Sequence, residues 1–115
     1  MMRRYLAFAI VAAAACGGGT EPVNYGAPVL LQVNGVTKPS GITGMTVILE
    51  GQELAEAKYG RVLFLAPDGT EIQAQTSDWT NEYVLATVPQ GIASASKVWI
   101  TTDWGTTDSL DFTPI

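Results

Sequence analysis

The chain contains no histidine and a single cysteine, Cys16. That removes the commonest metal ligands, Ser-His-Asp and Cys-His catalysis, and any intramolecular disulfide. What could still do chemistry is one thiol, 11 acidic side chains and three tryptophans. Paired carboxylates can hydrolyse glycosides when they stand several ångströms apart, but in an acidic chain such pairs arise from composition alone. No motif with catalytic spacing is present, so a non-catalytic protein without cofactor or metal is expected. Asp68 and Glu71 have the residue types of a calcium ligand pair. They sit at Ala66-Pro67-Asp68-Gly69, however, where proline pre-sets φ and glycine takes positive φ. A β-hairpin turn accounts for them.

The thiol has a more specific setting. Of the first 15 residues 13 are apolar, all but Arg3 and Arg4, against 54 of 115 in the whole chain. A positive pair followed by the eleven-residue apolar run Tyr5 to Ala15, ending in small residues, is the layout of a secretory signal. It is too short to span a bilayer, which takes about 20 residues, and Gly17-Gly18-Gly19 would stop any helix. Ala13-Ala14-Ala15 ahead of Cys16 resembles a bacterial lipobox, although Ala13 stands where a larger aliphatic is usual. The resemblance implies cleavage after Ala15, acylation of Cys16 and a membrane partner through that lipid anchor. Several acyl chains make such anchoring effectively stable. Gly17 in place of aspartate implies export across the inner membrane to the outer membrane or cell surface. Residues 17 to 27, with four glycines and one proline, read as a flexible tether with a reach of about 18 Å.

Without the leader the chain keeps 4 basic and 11 acidic side chains, a net charge of -7. Phosphate backbones need a basic face, so nucleic acid is excluded as a partner. The remaining 100 residues are a common size for one domain. They hold 13 Thr, 9 Val and 6 Ile, a β-rich composition. Apolar alternation bounded by Gly, Pro, Asp and Asn predicts strands at 28–34, 44–51, 60–66, 70–77, 82–88, 96–102 and 107–113. Seven short strands at this spacing predict an all-β sandwich. Glu53 to Lys58 is too short to nucleate a helix and is expected to be a loop with at most one helical turn. Asp103-Trp104-Gly105 is expected to close the sixth strand onto the seventh.

In order along the chain stand Pro28, Gly44-Met-Thr-Val-Ile-Leu-Glu-Gly51-Gln-Glu-Leu54, Arg61-Val-Leu-Phe64, Trp79, Tyr83-Val-Leu-Ala-Thr-Val-Pro89, Val98-Trp-Ile100, Gly105 and Phe112. The ordered set, over residues 28 to 115, resembles the IPT/TIG domain, an immunoglobulin-like family. Leu54 departs from the phenylalanine usual in that loop. The resemblance implies a non-catalytic spacer, dimerisation module or ligand platform, with Trp79 at least partly buried.

Residues two apart on a strand share a face. That places Val47, Leu49, Val62, Phe64, Val84, Ala86, Val88, Val98, Ile100, Leu110 and Phe112 inward. The same register turns Leu63, Leu65 and Trp99 outward, near one another if the third and sixth strands pair. An apolar patch with a tryptophan is a candidate interface, so these three are the expected binding residues, for another envelope protein or a second copy of the chain. The function expected is a surface-anchored binding, adhesion or scaffolding module. The alternative is a glycan-binding surface lipoprotein that stacks exposed tryptophans on a polysaccharide.

Overall fold

The computed structural model describes residues 25–115. The expected signal sequence, Cys16 and the tether as far as residue 24 lie outside the described residues.

Ten strands form two sheets: β1 (Val29–Val33), β2 (Ser40–Gly41), β3 (Thr46–Gln52), β4 (Gly60–Leu65), β5 (Glu71–Gln73), β6 (Thr76–Ser77), β7 (Tyr83–Thr87), β8 (Ser96–Thr102), β9 (Gly105–Thr106) and β10 (Leu110–Pro114). One sheet runs β1-β3-β7-β6; the other runs β2-β10-β8-β4-β5, with β9 also paired to β8. Pairing is antiparallel except between β2 and β10. This is the all-β sandwich that the alternation predicts, of the immunoglobulin-like kind that the resemblance implies.

The core lies between the sheets and consists of the residues placed inward by period two. Val47, Leu49, Val62, Phe64, Val84, Ala86, Val88, Val98, Ile100 and Phe112 are all buried, and Leu110 is partly buried against them. Phe64 from β4 meets Phe112 from β10 edge to face, with ring centroids 5.1 Å apart, a favoured aromatic geometry. The turn after β4 is the expected hairpin. Gly69 takes φ 88°, its amide donates to the Ala66 carbonyl at 3.0 Å, and Asp68 accepts from both the amide and the hydroxyl of Thr70. Those bonds hold the Asp68 carboxyl below its ordinary range, the Thr70 hydroxyl contributing most. Between β3 and β4 the only helical piece is the single 3-10 turn Ala57–Tyr59, as expected for so short a segment.

Three details depart from the expected strands. The segment 70–77 divides: β5 pairs with β4 in one sheet, β6 pairs with β7 in the other, and Ala74 turns into the core at the crossing. Such a switch keeps the same alternation, so periodicity cannot reveal it. The expected strand at 107–113 starts late, at Leu110. Asp103 and Trp104 turn β8 onto the two-residue β9, and Thr107 then replaces a ladder position, accepting from the Ile100 amide through its hydroxyl at 3.0 Å. Finally, the folded part reaches back to Tyr25. Its hydroxyl donates to Glu56 at 2.9 Å and its ring packs on Trp104, so the last three residues of the expected tether lie docked on the domain.

Candidate functional site

Strands β4 and β8 position the expected binding residues. Val62 stands opposite Ile100 and Phe64 opposite Val98, and all four are buried in the core. The pair between them, Leu63 and Trp99, therefore faces the other way. Directly opposed residues have Cβ atoms about 4.5–5.5 Å apart, which makes Leu63 and Trp99 the centre of the outer face. Leu65 follows on the same side of β4. The structure thus brings Leu63, Leu65 and Trp99 to one surface.

Exposure differs from what alternation alone implies. Leu63 is only 5% exposed, whereas Leu65 and Trp99 are half-buried. Leu63 lies between two longer side chains, Trp99 on β8 and Gln73 on β5, and a short apolar side chain so flanked is shielded by its neighbours. What remains accessible is an indole with leucine at its edge.

A polar rim surrounds this centre. Lys97 and Asp111, cross-strand partners on β8 and β10, form an ion pair at 2.6 Å. The Lys97 hydrogen bond, then its charge, holds the Asp111 carboxyl below the usual carboxylate range. The Thr101 and Thr106 hydroxyls meet at 2.7 Å, and Arg61 stands opposite Thr101. An aromatic centre within a polar rim is the anatomy of a protein-binding surface.

The other tryptophans have structural partners. Trp79 is half-buried against the core; its indole N–H donates to the Leu54 carbonyl at 2.7 Å, and a Cβ at Gly60 would come within 2.6 Å of its ring. Leu54 itself is fully buried, filling the loop. Trp104 meets Tyr25 and Tyr59 edge to face, each at 5.1 Å, with the Lys58 ammonium 5.0 Å from the Tyr59 ring centre. The Tyr25 phenol is raised above its ordinary value, chiefly by its bond to Glu56. Alternation could not find this cluster, because its members come from a tether and two loops.

Among the described residues no group of three or more acidic or cysteine side chains could hold a metal ion, and no helix is long and apolar enough to cross a membrane. Two acids, Glu53 and Glu82, share a groove with Leu31, Gln52 and Asn81. Both are exposed, and Glu53 is taken up by the Gly26 amide at 3.3 Å.

Solved structures with the same architecture come from both bacterial and human proteins. The chain is similar to part of the gamma-CGTase from alkalophilic Bacillus clarkii, at 25% identity and TM-score 0.64 over 78% of this chain and 12% of that one. It is similar to the TIG domain from human nuclear factor of activated T-cells, cytoplasmic 4, at 16% identity and TM-score 0.59 over 82% of this chain and 91% of that one. SGBP-B from a complex xyloglucan utilization locus in Bacteroides uniformis matches at 22% identity and TM-score 0.54, over 77% of this chain and 24% of that one. The chain thus spans a whole TIG domain but under a quarter of either bacterial protein. No protein-family model matches the chain, and no curated protein matches it. The immunoglobulin-like fold expected from the ordered motifs is the fold observed.

Proposed function

We propose that this domain is a non-catalytic binding module of the cell envelope, anchored through an acylated Cys16 and docking a protein partner or a second copy through the outer face of β4 and β8. The observation that carries the docking surface is the cross-strand pair of Leu63 and Trp99 inside its rim of Arg61, Lys97, Asp111 and paired threonines. Both core aromatics and two of the three tryptophans are committed to the fold's own packing. Trp99 lies on an open sheet face. The anchor rests on the Arg3-Arg4 pair, the apolar run and the lone cysteine at its end.

Cross-linking in intact membranes tests the surface. A Leu65→Asp, Trp99→Ala double variant that still melts cooperatively should lose its cross-links to neighbours; undiminished cross-linking in that folded variant would overturn the docking face. Mass spectrometry tests the anchor. A mature N-terminus acylated at Cys16 is expected, and a soluble product with a free thiol would remove the membrane from the reading. A second reading, polysaccharide capture by Trp99, is favoured by the same open indole and by the likeness to SGBP-B from a xyloglucan utilization locus.

A further inference from the structure

Beside the Trp99 face lies a groove of about 460 Å³, within the span of small-molecule sites. It opens where the chain leaves one sheet for the other. Its walls are Gln73, Gln75 and Gln90 with Thr43 and Thr87, above a floor that includes Pro89. No charged side chain lines it.

This lining discriminates among ligands. An anion is best held by cations and a cation by carboxylates, and this lining has neither. Each glutamine amide offers two donors and an acceptor, and each threonine hydroxyl offers both roles. Such sets match the hydroxyls of a neutral sugar, which donate and accept side by side. Among the described residues the three amides make no hydrogen bond to protein, unlike Gln32, whose amide is bonded to Glu50.

The walls are fixed by backbone bonds. Thr87 donates to the Gln75 carbonyl and Gly44 to the Val88 carbonyl, both at 2.9 Å. Ala74, buried in the core, turns the flanking Gln73 and Gln75 to the same outer side. The groove also continues onto the sheet. Gln73 stands opposite Leu63, and Leu63 opposite Trp99, a row of three neighbouring strands about 10 Å long.

We infer that this groove binds a short neutral oligosaccharide, held by the amides of Gln73, Gln75 and Gln90 and leaving along the row toward Trp99. The site goes beyond the protein-docking reading and relocates the sugar from the indole to the amides. It needs neither an anchor nor a docked partner.

The test is an NMR titration of the full mature chain, with nitrogen-15 in the glutamine side chains, against neutral probes: maltoheptaose, cellohexaose and xyloglucan heptasaccharide. Polygalacturonate serves as the charged control. At least one neutral probe should give saturable shifts at Gln73, Gln75 and Gln90 but not at Gln32 or Gln52, the chain's two other glutamines. A folded Gln73→Leu, Gln75→Leu variant should bind that probe about tenfold more weakly, the equivalent of about one hydrogen bond. No saturable shift with any probe, equal shifts at all five glutamines, or tighter binding of the charged control would overturn the site. Shifts confined to the Trp99 indole would overturn it too, in favour of the indole.

Discussion

The two outer faces of the sandwich carry apolar residues of similar kind and treat them differently. On the β1-β3-β7 side Leu31 is 49% exposed, because a bulge between Leu30 and Gln32 leaves it outside the ladder. Val29 and Tyr83 are exposed there as well, while Ile48 and Leu85 face each other half-buried, and the Gln32 amide donates to Glu50 at 2.6 Å. On the β4-β8 side the apolar cross-strand pair is covered more deeply, and Leu63 is almost as buried as a core residue. Depth of shielding, not the number of apolar side chains, separates the two faces.

The scale for breaking this contrast is set between the faces, in the core they share. Phe112→Ala should cost about 3–5 kcal/mol, a large share of a domain's usual 5–15. Chemical denaturation would show it, and an unchanged midpoint would mean that the ring pair it forms with Phe64 on the inner face of one sheet does not anchor the core. Next in size is the contrast itself. Leu63→Asp should destabilise by about 2–4 kcal/mol, because it empties a buried apolar site and places a carboxylate there. Leu31→Asp on the opposite face should stay within about 0.5 kcal/mol. Equal losses would show that the faces are alike.

Trp99→Ala should cost less than Leu63→Asp, about 1–2 kcal/mol, since a half-buried ring loses about half of what a buried one does. It should also leave Leu63 open to water, which protection of the Leu63 amide from hydrogen exchange would register as a fall. The smallest effect belongs to the rim. The folded-state value of Asp111 lies below its unfolded one because of Lys97. Its contribution is therefore present above the ordinary carboxylate value of about 3.9 and is lost as pH falls through the lower folded value. Asp111→Asn should lower the thermal midpoint slightly at pH 7 in low salt. At 1 M salt, where screening acts within about 3 Å, the difference should vanish, as expected of an exposed pair.

The core was legible residue by residue, since a strand's period of two needs only one buried face to declare itself. Val62, Phe64, Val98 and Ile100 were readable that way, whereas the pairing that sets Leu63 beside Trp99 followed only from the resemblance to an immunoglobulin-like family. The depth of Leu63 was not, because shielding came from Gln73 on a third strand. Nor was the split of residues 70–77, where β5 and β6 keep one alternation while belonging to different sheets. Tyr25 escaped for another reason: glycine and proline around it spell a flexible segment, and only the rings of Trp104 and Tyr59 give it a place to pack.

By itself the sequence determined the fold class, the inward residues, the Asp68 turn and the absence of histidine or disulfide chemistry, all of which depend on residue type and local spacing. Tertiary structure alone decided how deep Leu63 lies and that Gln73, Gln75 and Gln90 line one groove. Those properties depend on which strands become neighbours, and neighbours are chosen by burying the common core rather than by any local signal.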